Sequence, residues 1–242
     1  MRGDGLRLAL GTLTAVRVPA PRVVDPAVGR AAMLWAPLVG ALLGAVAGGV
    51  AWAAQVAWGS PWLGAVAAVA VLAFTTRGLH LDGLADTADG LGSGRPAAQA
   101  LDVMRRSDIG PFGVVTVVLV LLAQVGFGAQ AGPWGWIGAA AVGRLAATWA
   151  CVRGVPAARS SGLGATMAGT VPAAAVTAAS AVVAAAFLAY GPRGPLAVLA
   201  GLAAAGLLLT RCVRRLGGVT GDVLGACVET GTLGALAVLA LS

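Results

Sequence analysis

Seven stretches of this chain run for 15 to 25 residues with almost no charge: Met33–Ala57, Trp62–Thr76, Phe112–Ala131, Gly135–Val152, Ala173–Tyr190, Leu196–Thr210 and Val223–Leu241. A membrane helix needs about 20 mostly apolar residues. Lipid offers the backbone no hydrogen-bond partners, so each such run must satisfy its own N–H and C=O groups as a helix. Composition points the same way. Of the 242 residues 59% are hydrophobic and 10% charged, whereas soluble domains carry about 25% charge. A disordered chain and an ordinary soluble domain are thereby excluded. The expectation is an all-α, polytopic membrane protein, a single domain over residues 1–242 with about seven transmembrane helices.

The 16 basic residues, all arginine, supply the topology. Between successive runs they number five (Arg2, Arg7, Arg17, Arg22, Arg30), none, four (Arg77, Arg95, Arg105, Arg106), none, two (Arg153, Arg159), one (Arg193) and three (Arg211, Arg214, Arg215). Alternation of this kind is the positive-inside pattern of an inner-membrane protein with a cytoplasmic N-terminus. It also removes the nucleic-acid reading of a pI near 11.2. Trp58, Trp62, Trp134 and Trp136 fall at the arginine-free ends, where an outer aromatic belt is expected. Leu6, Leu10 and Leu13 share one helical face, which predicts an N-terminal helix lying at the interface. Gly40, Gly44 and Gly48 form a small-residue stripe that allows close helix approach, either within the protomer or in a homo-oligomer. Cys151, Cys212 and Cys227 show no C-x-x-C spacing and read as buried hydrophobes.

The acids locate the chemistry. Five of the nine lie between Asp82 and Asp108, in a polar segment of about residues 77–110 assigned to the cytoplasm. Asp82, Asp86 and Asp89 stand at i, i+4 and i+7, within about 60° of one helical face. Three carboxylates on one stripe repel unless a cation neutralises them, and hard oxygen ligands suit Mg²⁺ bridged to substrate phosphates. His80, the only histidine, precedes them as a candidate for proton transfer. Arg105 and Arg106 are candidate phosphate ligands, with Ser107 and Asp108 beside them. A second polar cluster spans about residues 211–229: Arg211, Arg214 and Arg215, the Gly217-Gly218-Val219-Thr220-Gly221-Asp222 run, and Glu229 inside the last span. An intramembrane carboxylate is a functional candidate by default, with pairing to Arg144 as the structural alternative. Arg159 lies in a third polar piece. These groups suit Mg²⁺-dependent transfer of a phosphate-bearing group at the cytoplasmic membrane face.

The run His80-Leu81-Asp82-Gly83-Leu84-Ala85-Asp86-Thr87-Ala88-Asp89-Gly90 resembles the signature of the cobalamin synthase family, the adenosylcobinamide-GDP ribazoletransferases. The likeness continues through Ser107, Gly110 and Gly113, Arg159-x-x-Gly162-Leu163-Gly164, and Leu216-Gly217-Gly218-x-Thr220-Gly221-Asp222-x-Leu224-Gly225-Ala226. Arg17-Val18-Pro19-x-Pro21 and Pro37-Leu38-Val39-Gly40 also fit. In one place the chain departs: Arg106-Ser107-Asp108 stands where many members read Asp-Ser-Arg. The resemblance implies Mg²⁺ as cofactor, adenosylcobinamide-GDP as donor, and α-ribazole or its 5′-phosphate as acceptor. It further implies attack of the ribose 3′-hydroxyl on the cobinamide-side phosphorus with loss of GMP. The product would be adenosylcobalamin or its 5′-phosphate. On this reading Asp82, Asp86 and Asp89 hold the metal and, with His80, form the catalytic set. Arg105, Ser107, Asp108, Arg159, Arg211, Arg214, Arg215, Thr220, Asp222 and Glu229 contact substrate.

Two rival readings remain at this point. A CDP-alcohol phosphotransferase also sets aspartates at a membrane face, but Asp86 stands where that pattern needs arginine, and its downstream aspartates are absent. A transporter would use Arg144 and Glu229, yet the acids gather in one segment and no inverted repeat is visible.

Overall fold

The computed structural model describes residues 3–241, so Arg2 lies outside the described residues. Among the described residues ten α-helices follow one another: α1 (Asp4–Leu13), α2 (Pro26–Trp58), α3 (Pro61–Thr75), α4 (Leu79–Gly92), α5 (Ala97–Val103), α6 (Pro111–Ala150), α7 (Leu163–Met167), α8 (Ala173–Ala186), α9 (Arg193–Leu216) and α10 (Gly221–Leu239). A 3₁₀ turn, Phe187–Tyr190, extends α8. Among the described residues there is no strand, and the isolated backbone bridges are Val152–Val171 and Ala157–Val219. By length and hydropathy α2, α6, α8 with its 3₁₀ turn, α9 and α10 can each cross a bilayer. α3 and α4 together make a sixth candidate, bent by 89°.

α6 is not one straight rod. Forty residues at 1.5 Å each would reach about 60 Å, twice a hydrocarbon core. Gly132 interrupts it with φ 74° and ψ 173°, and Pro133 follows. Gln124 before the break and Arg144 after it reach the same small cavity, beside Glu229. Gln124 Nε2 donates to Glu229 Oε2 at 2.8 Å, and Arg144 lines one small cavity with both. A continuous helix would hold residues 124 and 144 about 30 Å apart. The chain therefore doubles back at Gly132, and its two halves fall where separate runs end and begin in the sequence.

Small residues set the packing. A Cβ on Gly40, Gly44 or Gly48 would strike the carbonyl oxygens of Ala140, Trp136 and Pro133 in turn. The stripe is thus the seat of α6 within the protomer, with backbones in near contact as membrane helices allow. Gly143 packs in the same way on Val228 and Thr232 of α10, and Gly201 of α9 on the Gly231 carbonyl. Outward-facing positions are apolar and open: Leu42 is 58% exposed, Leu119 60% and Leu207 76%. Such a girdle needs lipid around it.

One expectation requires correction. Trp58, Trp62 and Trp134 are exposed as a belt requires, but Trp136 is fully buried, because the turn at Gly132 points it into the bundle over Gly128. α1 forms as expected, and one side of it packs on α2. Its buried face is Leu8, Ala9 and Leu13, and Gly5 lies so close to α2 that a Cβ would come within 2.5 Å of Ala31 Cβ.

Candidate active site

The site is assembled where α4 crosses the first turn of α10. α3 ends at Thr75 and is capped by Thr76; Arg77 (φ 56°) and Gly78 (φ 68°) turn the chain in the left-handed region, and α4 leaves across the end of the bundle. Two glycines let it sit down. A Cβ on Gly83 would come 2.6 Å from the Asp222 carbonyl oxygen, and one on Gly225 would come 3.1 Å from His80 Cα. With no side chain between the backbones, Asp82 and Asp86 stand beside Asp222, 140 residues distant in sequence. Gly83→Ala should therefore push α4 off α10, at a cost of roughly 1–3 kcal/mol for an overpacked contact. Turnover should fall more steeply than thermal stability. Unchanged turnover in G83A would show that the seat is not needed.

Arg159 reaches this crossing through a second pairing. Ala158 N–H donates to the Val219 carbonyl and Val219 N–H to that of Pro156, both at 2.9 Å. Gly218 permits this, since a Cβ there would overlap the backbone of Pro156 and Ala157. Arg159 then lies 3.6 Å from Asp222 Oδ2 and donates to the Leu101 carbonyl at 2.8 Å. Thr220 caps α10 by accepting from Val223 N–H at 3.2 Å, and its hydroxyl donates to Asp222 Oδ2 at 3.1 Å. Thr220, read above as a substrate contact, is buried and holds Asp222 in place.

The aspartate stripe divides. Asp82 is exposed and Asp86 half-buried. Burial, and after it the charges of Asp82, Asp222 and Asp89, push the Asp86 carboxyl up to about 7, with Arg159 opposing. Asp89 is buried and both its oxygens are engaged. Gly110 N–H donates to one at 2.7 Å and Gly113 N–H to the other at 2.9 Å. Asp89 thus satisfies the first orphan amides of α6, where negative charge is favoured. Gly110 and Gly113 are glycines because a Cβ on either would collide with that carboxylate.

His80 lies deeper than the sequence reading placed it, and Glu229 lies within the last span as expected. His80 is 5% exposed, and its Nδ1 is 3.4 Å from Arg144 Nη2. Burial and then the Arg144 cation hold the imidazole well below its usual range, so it is neutral and a poor base. Glu229 is bonded to Gln124 and faces Arg144 across a cavity of about 10 Å³. The side-chain bond that the fold gives Glu229 is the one from Gln124, and Arg144 shares the cavity wall with both. Gln124 carried no signal in the sequence, because one amide in an apolar run has no spacing to read.

The remaining arginines are exposed. Arg211, Arg214 and Arg215 lie at the end of α9, and Arg215 Nη2 is 3.5 Å from the Arg95 carbonyl. Arg105 and Ser107 are also exposed. Arg106 and Asp108 share the wall of one cavity of about 330 Å³ with Arg95, Ser93 and Asp89. A second cavity, about 250 Å³, opens at the other end of the stripe. Its walls include Leu13, Met33, Leu163 and Leu224, with Asp82 and Asp222 among its polar lining. Neither cavity was legible beforehand, since each draws on segments far apart in the chain.

Among the described residues no three His, Cys, Asp or Glu side chains form a closed metal cage. Mg²⁺ does not ask for one; it takes one or two carboxylates and completes its shell with water and phosphate oxygens. Asp82 and Asp86, open to solvent and crowded by Asp222, are donors of that kind.

Comparison with known proteins gives the family. Residues 5–240 match the family model described as cobalamin-5-phosphate synthase. A Frankia casuarinae protein named adenosylcobinamide-GDP ribazoletransferase is 41% identical, over 98% of this chain and 94% of its own length. Proteins of the same name from a Nocardioides species and from Escherichia coli are 40% and 39% identical, over 93% and 81% of this chain and 93% and 82% of theirs. No solved structure matches. A membrane bundle that gathers aspartates from α4 and α10 with Arg159, matched over nearly its whole length, belongs to the cobalamin-5-phosphate synthase family of enzymes.

Proposed function

We propose that the enzyme transfers the adenosylcobinamide phosphate group of adenosylcobinamide-GDP to α-ribazole or α-ribazole 5′-phosphate, with Mg²⁺, at the cytoplasmic face of the inner membrane. The observation that carries this reading is the crossing of α4 and α10. It sets Asp82, Asp86 and Asp222 together with one compensating arginine, Arg159, on an open face. Three carboxylates and one guanidinium leave an excess of negative charge that a divalent cation would balance.

In the proposed reaction the ribose 3′-oxygen forms a bond to the cobinamide-side phosphorus. The bond from that phosphorus to the bridging oxygen breaks, and GMP leaves with the electron pair. Asp82 and Asp86 are the residues to hold Mg²⁺, which when bound draws charge from the diphosphate. Asp222, fixed by Arg159 and Thr220 and on the wall of the apolar cavity, is placed to take the hydroxyl proton. Arg95 and Arg106 face the side where negative charge grows on the leaving phosphate. Asp89 acts on this site indirectly by tying the start of α6 to α4, and His80 by anchoring α4 to Arg144. The bundle holds the carboxylates on helices, and positioning of the in-line attack is most of the catalysis.

GMP release by the protein in nanodiscs, given adenosylcobinamide-GDP, tests the reading. Release should require both α-ribazole and Mg²⁺ and should stop when a chelator is in excess. CMP release from a CDP-alcohol, or Mg²⁺-independent release, would overturn it.

A further inference from the structure

We propose that the two cavities at opposite ends of the α4 stripe divide the substrates. The apolar one beside Asp82 takes the benzimidazole base of the acceptor, and the arginine-lined one beside Asp89 takes the leaving guanosine phosphate. This rests on the reaction proposed above and adds a direction to it.

Size makes the first cut. Sites for drug-sized ligands begin at about 300 Å³, and these cavities measure about 250 and 330 Å³. Neither admits a corrin macrocycle, which must lie outside both, over the open face. What remains to be housed is a two-ring base and a nucleotide.

Chemistry makes the second. The first cavity is walled by Leu13, Met33, Leu163 and Leu224, with its carboxylates Asp82 and Asp222 among the few polar groups. A flat, uncharged, methylated ring fits the apolar wall, and its attached ribose would reach the carboxylates. Free phosphate would be repelled there. The second cavity holds Arg95, Arg106 and Asp108. The guanidinium groups suit phosphate oxygens. The Asp108 carboxylate suits the N1–H and N2–H donors of guanine, two parallel hydrogen bonds to one acid. The Arg106-Ser107-Asp108 order thus puts a cation and an acid on one wall.

Spacing makes the third. Asp82 and Asp89, one on each cavity, are seven residues apart on α4, about 10 Å. Asp86 lies between them. Acceptor on one side, leaving group on the other and the metal-holding carboxylate in the middle is the order an in-line displacement needs.

Two variants separate the ends. Leu163 is 38% exposed at the mouth of the first cavity, so Leu163→Trp fills it without opening the core. It should raise the α-ribazole KM, and its dissociation constant by equilibrium dialysis without donor, about tenfold. GMP inhibition should stay within about twofold. Arg106→Gln should do the reverse, weakening GMP about tenfold and leaving α-ribazole unmoved, as expected for a lost charged hydrogen bond. A crossed pattern, or α-ribazole affinity indifferent to Leu163→Trp, overturns the assignment. So does a phospholipid that stays with the wild type in native mass spectrometry and is lost from Leu163→Trp. If the wild type releases no GMP, the reaction itself falls, while dialysis of α-ribazole and GMP still reports each cavity separately. Gel filtration checks that both variants fold.

Discussion

Asp86→Asn should lower turnover at saturating Mg²⁺ by at least about 10²-fold, the scale seen when one preorganised electrostatic group is removed from an active site. The side chain keeps its size and loses its charge, so α4 should stay seated and the retention volume should not change. Asp86 is the expected centre because it feels Asp82, Asp222 and Asp89 at once and is half-buried among them. An amide there relieves the repulsion that a cation otherwise relieves, so Asp86→Asn should gain stability in the absence of Mg²⁺ while losing activity in its presence. Turnover within threefold of wild type would remove Asp86 from the metal site. Asp89→Asn should behave differently. Its amide can no longer accept from both Gly110 and Gly113, so the loss should appear first as instability at the start of α6. A capping loss of about 1 kcal/mol is expected.

The second large effect lies in the bundle interior. Arg144→Leu should destabilise the folded protein by roughly 1–3 kcal/mol, the cost of leaving a half-buried carboxylate within the span without a nearby cation. Glu229 would keep its bond from Gln124 but lose the positive charge across the small cavity, and His80 would lose its neighbour at the start of α4. The double variant Arg144→Leu/Glu229→Leu should recover most of that loss, because no unpaired charge then remains. Unfolding in nanodiscs, followed by denaturant titration, measures both. A double variant no more stable than the single one would show that the two charges do not act on each other. Activity of the double variant should stay low even where stability returns, since nothing then holds His80.

The glycine contacts explain why a sequence this poor in polar groups can build a specific site. Membrane helices gain little from apolar contact with one another, because lipid is as apolar as leucine. Close backbone approach and a few internal polar bonds must supply the specificity. Gly40, Gly44 and Gly48 do this for α2 on α6, Gly143 for α6 on α10, and Gly83 with Gly225 for α4 on α10. Replacing any of these glycines inserts a methyl where a backbone atom already sits.

What the sequence determined by itself follows from local chemistry and period. Uncharged runs in lipid must be helices, and aspartates at i, i+4 and i+7 must share a face. The all-α membrane fold and the gathering of three aspartates on one helix, α4, were therefore readable. Which side chains meet across the bundle was not, because spacing within one helix says nothing about the helix beside it. Only the tertiary structure showed that Asp89 is spent on the amides of α6 and that Glu229 is bonded to Gln124. Only it showed Thr220 buried behind Asp222, Trp136 turned inward at Gly132, and the glycine stripe of α2 filled by α6 of the same chain. Apart from the local Thr220–Asp222 bond, the deciding contact in each case joins residues 21 or more apart, or depends on a chain reversal, and its partner is chosen by packing.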